Sequence, residues 1–110
     1  MIYPILSLCD ESTAEAAAKL RFALATARVK KECFLRVDFL CGAEGRARLR
    51  GAVARVLRER KRNGRILFFV SSEDFRSSKP EAEFIANKFP SLLEDPALLE
   101  AESGYILVKL

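Results

Sequence analysis

Four carboxylates stand where a strand-based active site would need them. Asp10 and Glu11 follow the apolar run IYPILSL, while Glu73 and Asp74 follow RILFFVSS. Parallel sheets bind ligands beyond the carboxyl ends of their strands. If the two runs are neighbouring parallel strands, the acids converge. Their hard oxygen ligands would then hold Mg²⁺ for phosphoryl transfer or hydrolysis. The same acids also suit helix caps and the positive end of a helix dipole, which needs no metal. The chain contains no histidine. That removes Ser-His and Cys-His nucleophile pairs, imidazole acid–base catalysis and His-ligated zinc.

Thiols offer little more. Cys9, Cys33 and Cys41 are odd in number and lack C-x-x-C spacing, so free thiols in a reducing compartment are the simplest reading. Gly42–Gly45 precedes a helix, where backbone N–H groups can hold an anion. With Cys41 the loop comes near the C-x₅-R cradle of cysteine phosphatases. Here Arg46 gives C-x₄-R, Arg48 gives C-x₆-R, and Ala47 occupies the position between them. Glu44 also puts a negative charge where phosphate would sit. Neither nucleotide-binding glycine pattern is present, so no cofactor is implied and the loop reads as a turn.

Binding is better represented than catalysis. Residues 46–65, RARLRGAVARVLRERKRNGR, carry eight arginines, Lys61 and one acid, Glu59. The local charge is +8 against +4 for the whole chain, so the protein is polarised. At 100° per residue, Leu49, Val53, Val56 and Leu57 share the face that must meet the core. Arg48, Arg55, Arg58 and Arg62 share the opposite face, along about 20 Å of axis. Guanidinium forks fit phosphate, so this row suits RNA or another polyanion. A solvated helix face has the same composition. So has a face that docks on an acidic protein. From Glu73 to Glu102 the net charge is −5, so the two regions could neutralise each other across the fold or pair between molecules. No aromatic residue interrupts 46–65, which favours backbone contacts over base stacking.

The elements that must position these groups follow from periodicity. Residues 2–8 read as a strand with Pro4 at its start or on an edge. Ser12 and Glu15 form a capping box for a helix over about 13–30, with Leu20, Leu24 and Ala27 inward and Phe22 and Val29 nearly opposite. Residues 33–40 alternate, with Arg36 and Asp38 on one side, and read as a strand half in water near an edge. The basic helix spans about 45–62 and ends at Asn63-Gly64. Residues 65–71 are unbroken apolar after Arg65 and read as the central strand. Residues 71–80 read as a polar loop, and Ser78 and Glu81 as a second capping box for a helix through Phe84 and Phe89. Asp95-Pro96 caps a further turn, and YILVKL closes the chain as a strand. Phe68, Phe69, Phe84 and Phe89 fall at core spacing, while Phe22, Phe34, Phe75 and Tyr105 remain as outer aromatics.

The expected fold is therefore a single α/β domain over residues 1–110, β-α-β-α-β-α-β, with a four-stranded mostly parallel or mixed sheet packed by helices. A ferredoxin-like α+β sandwich is the competing arrangement. No apolar run approaches the roughly 20 residues of a membrane span, and the N-terminus lacks the basic leader of a signal peptide. A cytoplasmic or nuclear location is expected. The functional expectation is a non-catalytic binding or assembly module that contacts RNA or another polyanion through Arg48, Arg55, Arg58 and Arg62. Its alternatives are docking on an acidic partner or self-association, and a Mg²⁺ site at Asp10, Glu11, Glu73 and Asp74.

Overall fold

The first helix begins as its residue types require. Ser12 accepts a hydrogen bond from the Glu15 backbone N–H at 3.1 Å, and the Glu15 carboxylate returns one to the Ser12 N–H at 3.4 Å. The computed structural model describes residues 3–76, 79–93 and 104–110. Its elements are β1 (Ile5–Leu8), α1 (Thr13–Val29), β2 (Phe34–Phe39), α2 (Ala43–Arg62), β3 (Phe68–Ser71), α3 (Ser72–Arg76), α4 (Pro80–Lys88), α5 (Pro90–Leu93) and β4 (Tyr105–Lys109). The helix α3 occupies part of the stretch expected as loop. The Ser78 cap and the Asp95-Pro96 turn lie outside the described residues. At α4 the N-cap is Lys79, and Pro80 takes the first turn, where its missing N–H leaves no bond unmade.

The sheet order is β1-β2-β4-β3, with β1 parallel to β2 and β4 antiparallel to both neighbours. β1, β2 and β3 therefore run one way, and the last strand is inserted against them. Helices cover both faces. Leu20 and Leu24 of α1 and Leu49, Val53 and Leu57 of α2 form one apolar cluster with Leu8, Leu35, Val37, Ile106 and Val108. Ile85 and Leu92 pack on the opposite face with Phe34, Val70, Tyr105 and Leu107. This three-layer α/β arrangement is the expected class and differs from the ferredoxin-like alternative, whose helices lie on one face.

The strand roles differ from expectation. β3 lies at an edge, while β2 and β4 are the inner strands. An unbroken apolar run reports helices over both faces, and an edge strand between two helix layers meets that condition. Phe69 packs into the α1/α2 side and Phe68 into the α4/α5 side. The alternating strand β2 is not half in water. Arg36 is buried, and its Nη2 donates to Asp38 Oδ2 at 3.0 Å, so two charges of opposite sign lie together on one face of an inner strand. Arg36 Nη1 also donates to the Tyr3 hydroxyl at 3.2 Å. Nε lies 2.9 Å from Asp38 Oδ1, close enough for ion pairing but outside hydrogen-bond geometry. Phe34 and Tyr105 are core residues instead of outer aromatics.

Candidate polyanion interface

The helix α2 is held by the stripe the sequence assigns to it. Leu49, Val53, Val56 and Leu57 are at most 2 % exposed, which turns the opposite face outward. Arg48, Arg55, Arg58 and Arg62 all lie exposed on that face. Arg48 is partly engaged, its Nη1 donating to the Glu11 carbonyl oxygen at 3.1 Å. Arg55, Arg58 and Arg62 form no ion pair among the described residues, where the pairs are Lys19–Glu11, Arg36–Asp38 and Arg50–Glu73. Three of the four guanidinium groups in the row thus have no carboxylate or hydrogen-bond partner among the described residues, and Arg48 has one carbonyl partner.

Both α1 and α2 follow parallel strands on one sheet face, so their C-termini meet at the same edge. Each ends in the same hydrogen-bonded cap. At α2, the Gly64 N–H reaches Lys61 O and the Arg65 N–H reaches Arg60 O, with Gly64 at φ +72°. At α1, the Lys31 N–H reaches Arg28 O and the Glu32 N–H reaches Ala27 O, with Lys31 at φ +57°. These are Schellman motifs, the second built on a residue with a Cβ. Between the two ends lies a small cavity lined by Arg21 and Arg28 of α1, by Arg60 of α2 and by Arg65 just beyond its cap. Sequence reasoning missed Arg21 and Arg28. They lie seven residues apart on one helix flank, a signal that becomes a site only once the two helices are known to be neighbours.

The carboxylates are not brought together. β1 and β3 are the outer strands, and three strand spacings, about 14 Å, separate Asp10 and Glu11 from Glu73 and Asp74. Each set has local work. Glu11 accepts from Lys19 Nζ at 2.8 Å and from the Cys9 N–H at 2.7 Å, and these bonds lower its carboxyl to about 2. Asp74 accepts from the Ser71 N–H at 2.9 Å. Glu73 pairs with Arg50 at 3.1 Å, and Arg50 also lies 5.6 Å from the Phe39 ring centre. Partial burial is the largest single effect and pushes the Glu73 carboxyl up, but hydrogen bonds from Arg50, its own backbone and Ser71, with the Arg50 charge, together leave it lowered. Among the described residues, no group of three or more Cys, Asp or Glu side chains could hold a metal ion.

The Cys41 loop is a packed turn. A Cβ on Gly45 would lie 3.2 Å from Cys41 Cβ, so the cysteine side chain is pressed against the first turn of α2. Cys9 is exposed, and its thiol is pushed up by a hydrogen bond with Asp10 and then by burial, the opposite of an activated nucleophile. On the outer surface of α1, Phe22 is 75 % exposed and Val29 82 %. Phe22 borders two grooves, one of about 230 Å³ that reaches Ile5 and Leu6 of the edge strand and one of about 240 Å³ that it shares with Val29. No helix among the described residues is long and apolar enough to cross a membrane. Comparison with protein-family models, curated proteins and solved structures finds no match to this chain.

Proposed function

We propose that this chain is a non-catalytic binding module for the phosphate backbone of RNA or a comparable polyanion. The observation that carries this reading is the set of arginines without carboxylate partners. Arg21, Arg28, Arg55, Arg58, Arg60, Arg62 and Arg65 are all unpaired among the described residues, on two adjacent helices and the loop that follows them. Arg55 to Arg62 spans about 10 Å of axis, enough for consecutive phosphates. No aromatic residue lies within 46–65, so contacts fall on phosphate and sugar and read little sequence. Labelled RNA tested at 50 and 200 mM salt checks this. With three or four phosphates neutralised, affinity for single-stranded RNA is expected to fall about 20- to 50-fold over that range. Arg55→Glu with Arg58→Glu sharply weakens binding, leaving it measurable only at low salt, and does not change the melting curve. RNA that fails to bind even at 50 mM salt refutes the reading.

A second reading, docking on an acidic protein, is favoured by one specific observation. Phe22 and Val29 lie exposed on the same helix as Arg21 and Arg28. An apolar anchor beside a basic flank suits a protein surface better than a nucleic acid. Phe22→Ser weakens such a complex and leaves RNA affinity intact.

A further inference from the structure

The cavity between the C-terminal halves of α1 and α2 differs in kind from the open row on α2. Arg21, Arg28, Arg60 and Arg65 surround it, and Leu24 and Ile66 lie beneath. No carboxylate lines it, and none of the four arginines is ion-paired among the described residues. Cations at helix C-termini offset the negative ends of the dipoles, and this is the structural explanation to be tested first. Lys30 and Lys31 at the end of α1, and Lys61 and Arg62 at the end of α2, already meet that need from exposed positions. The four arginines around the cavity exceed it. Like charges gathered against an apolar floor repel one another unless an anion lies among them.

The space admits an anion, and the number of arginines around it narrows the charge that suits it. Its volume is about 50 Å³. On the same measure a single water needs about 10–15 Å³, so there is room for a tetrahedral oxyanion among the four arginines. A phosphodiester inside a strand brings a single charge to four arginines. A terminal phosphomonoester enters from one side. It carries about −1.5 to −2 charge and three strong acceptor oxygens, a match for several guanidinium forks. We propose that this cleft holds the terminal phosphate of an RNA strand whose following phosphates run along α2. The RNA part rests on the polyanion reading above; the phosphate chemistry of the cleft does not.

The test compares three oligoribonucleotides of one sequence, ending in a 5′-phosphate, a 3′-phosphate or hydroxyls at both ends. It adds melting curves in inorganic phosphate. The variant Arg28→Gln with Arg65→Gln changes two exposed cleft residues, and Arg60→Lys keeps the charge while removing the fork. A phosphorylated end is expected to bind about tenfold tighter, the gain from one added charge-assisted hydrogen bond. That preference disappears in both cleft variants and persists in Arg55→Glu with Arg58→Glu at whatever affinity remains in low salt. Equal affinity for all three RNAs overturns the cleft assignment and leaves the α2 face standing. If no RNA binds but inorganic phosphate raises the melting temperature of the native chain and not of the cleft variants, the RNA strand is overturned as the source. The cleft then takes a free phosphomonoester. If phosphate also fails to stabilise the native chain, the whole proposal falls.

Discussion

The two helix ends that frame the cleft allow a matched pair of substitutions. Both α1 and α2 finish in the same cap, yet one places Gly64 and the other Lys31 in the left-handed region. An L-residue there costs about 1–2 kcal/mol through its Cβ. Glycine avoids that cost but loses more chain freedom on folding, worth about 0.4–1 kcal/mol. The net advantage of glycine is therefore about 0.5–1 kcal/mol. A Cβ at Gly64 would meet nothing within 4 Å, so no steric clash adds to the backbone effect. Gly64→Ala is expected to destabilise by about 1 kcal/mol and Lys31→Gly to stabilise by about 0.5 kcal/mol, less a few tenths for a cation lost from a helix C-terminus. For a domain of this size 1 kcal/mol moves the melting temperature by about 4 °C. Calorimetry or urea unfolding reads both, and Lys31→Ala separates charge from conformation because it keeps the Cβ. A Lys31→Gly protein no more stable than Lys31→Ala would refute the argument.

Two further substitutions test the polar contacts. Asp38→Asn leaves Arg36 charged and unpaired with only 8 % of its side chain exposed, and should cost about 2–3 kcal/mol in urea unfolding. Replacing both residues, as in Arg36→Met with Asp38→Leu, should cost less than Asp38→Asn alone. At β1, Glu11 is lowered from 4.5 to about 2 by its Lys19 and backbone hydrogen bonds. The unfolded chain then binds this proton more readily than the folded one. The contribution of Glu11 is complete above about pH 4.5 and is lost as pH falls towards 2. Melting curves across that window should fall less steeply for Glu11→Gln than for the native chain.

The two long helices, α1 and α2, were legible because each carries an apolar stripe and a clear start or stop signal. Ser12 and Glu15 mark one beginning, Asn63-Gly64 marks one end, and the inward residues of α1 and α2 are those the 3.6-residue period selects. Strand positions were not legible. Alternation in β2 suggested water on one side, but Arg36 and Asp38 stand two residues apart and so neutralise each other on a single buried face. The apolar run before Ser71 suggested a central strand. Burial on both faces is set by the helix layers, whereas position in the sheet is set by pairing, and pairing depends on where β4 enters. A local window does not contain that information.

The position of β4 bears on one candidate site and not on the other. The two crossover connections leave α1 and α2 side by side on one face, while β4 inserts between β2 and β3. The insertion pushes β3 to the far edge and carries Glu73 and Asp74 away from Asp10 and Glu11. It does nothing to α1, whose strand neighbour is still β2. The adjacency of the two helices therefore survives, and with it the meeting of Arg21 and Arg28 with Arg60 and Arg65. Charge counted by segment found the row on α2 because all four of its residues belong to one helix. The cleft belongs to two helices, and its four arginines are separated by up to 44 positions in the chain. Moving β4 out from between its neighbours would still leave β2 between β1 and β3, so the carboxylates would stay about 10 Å apart, and the arginines would remain where they are.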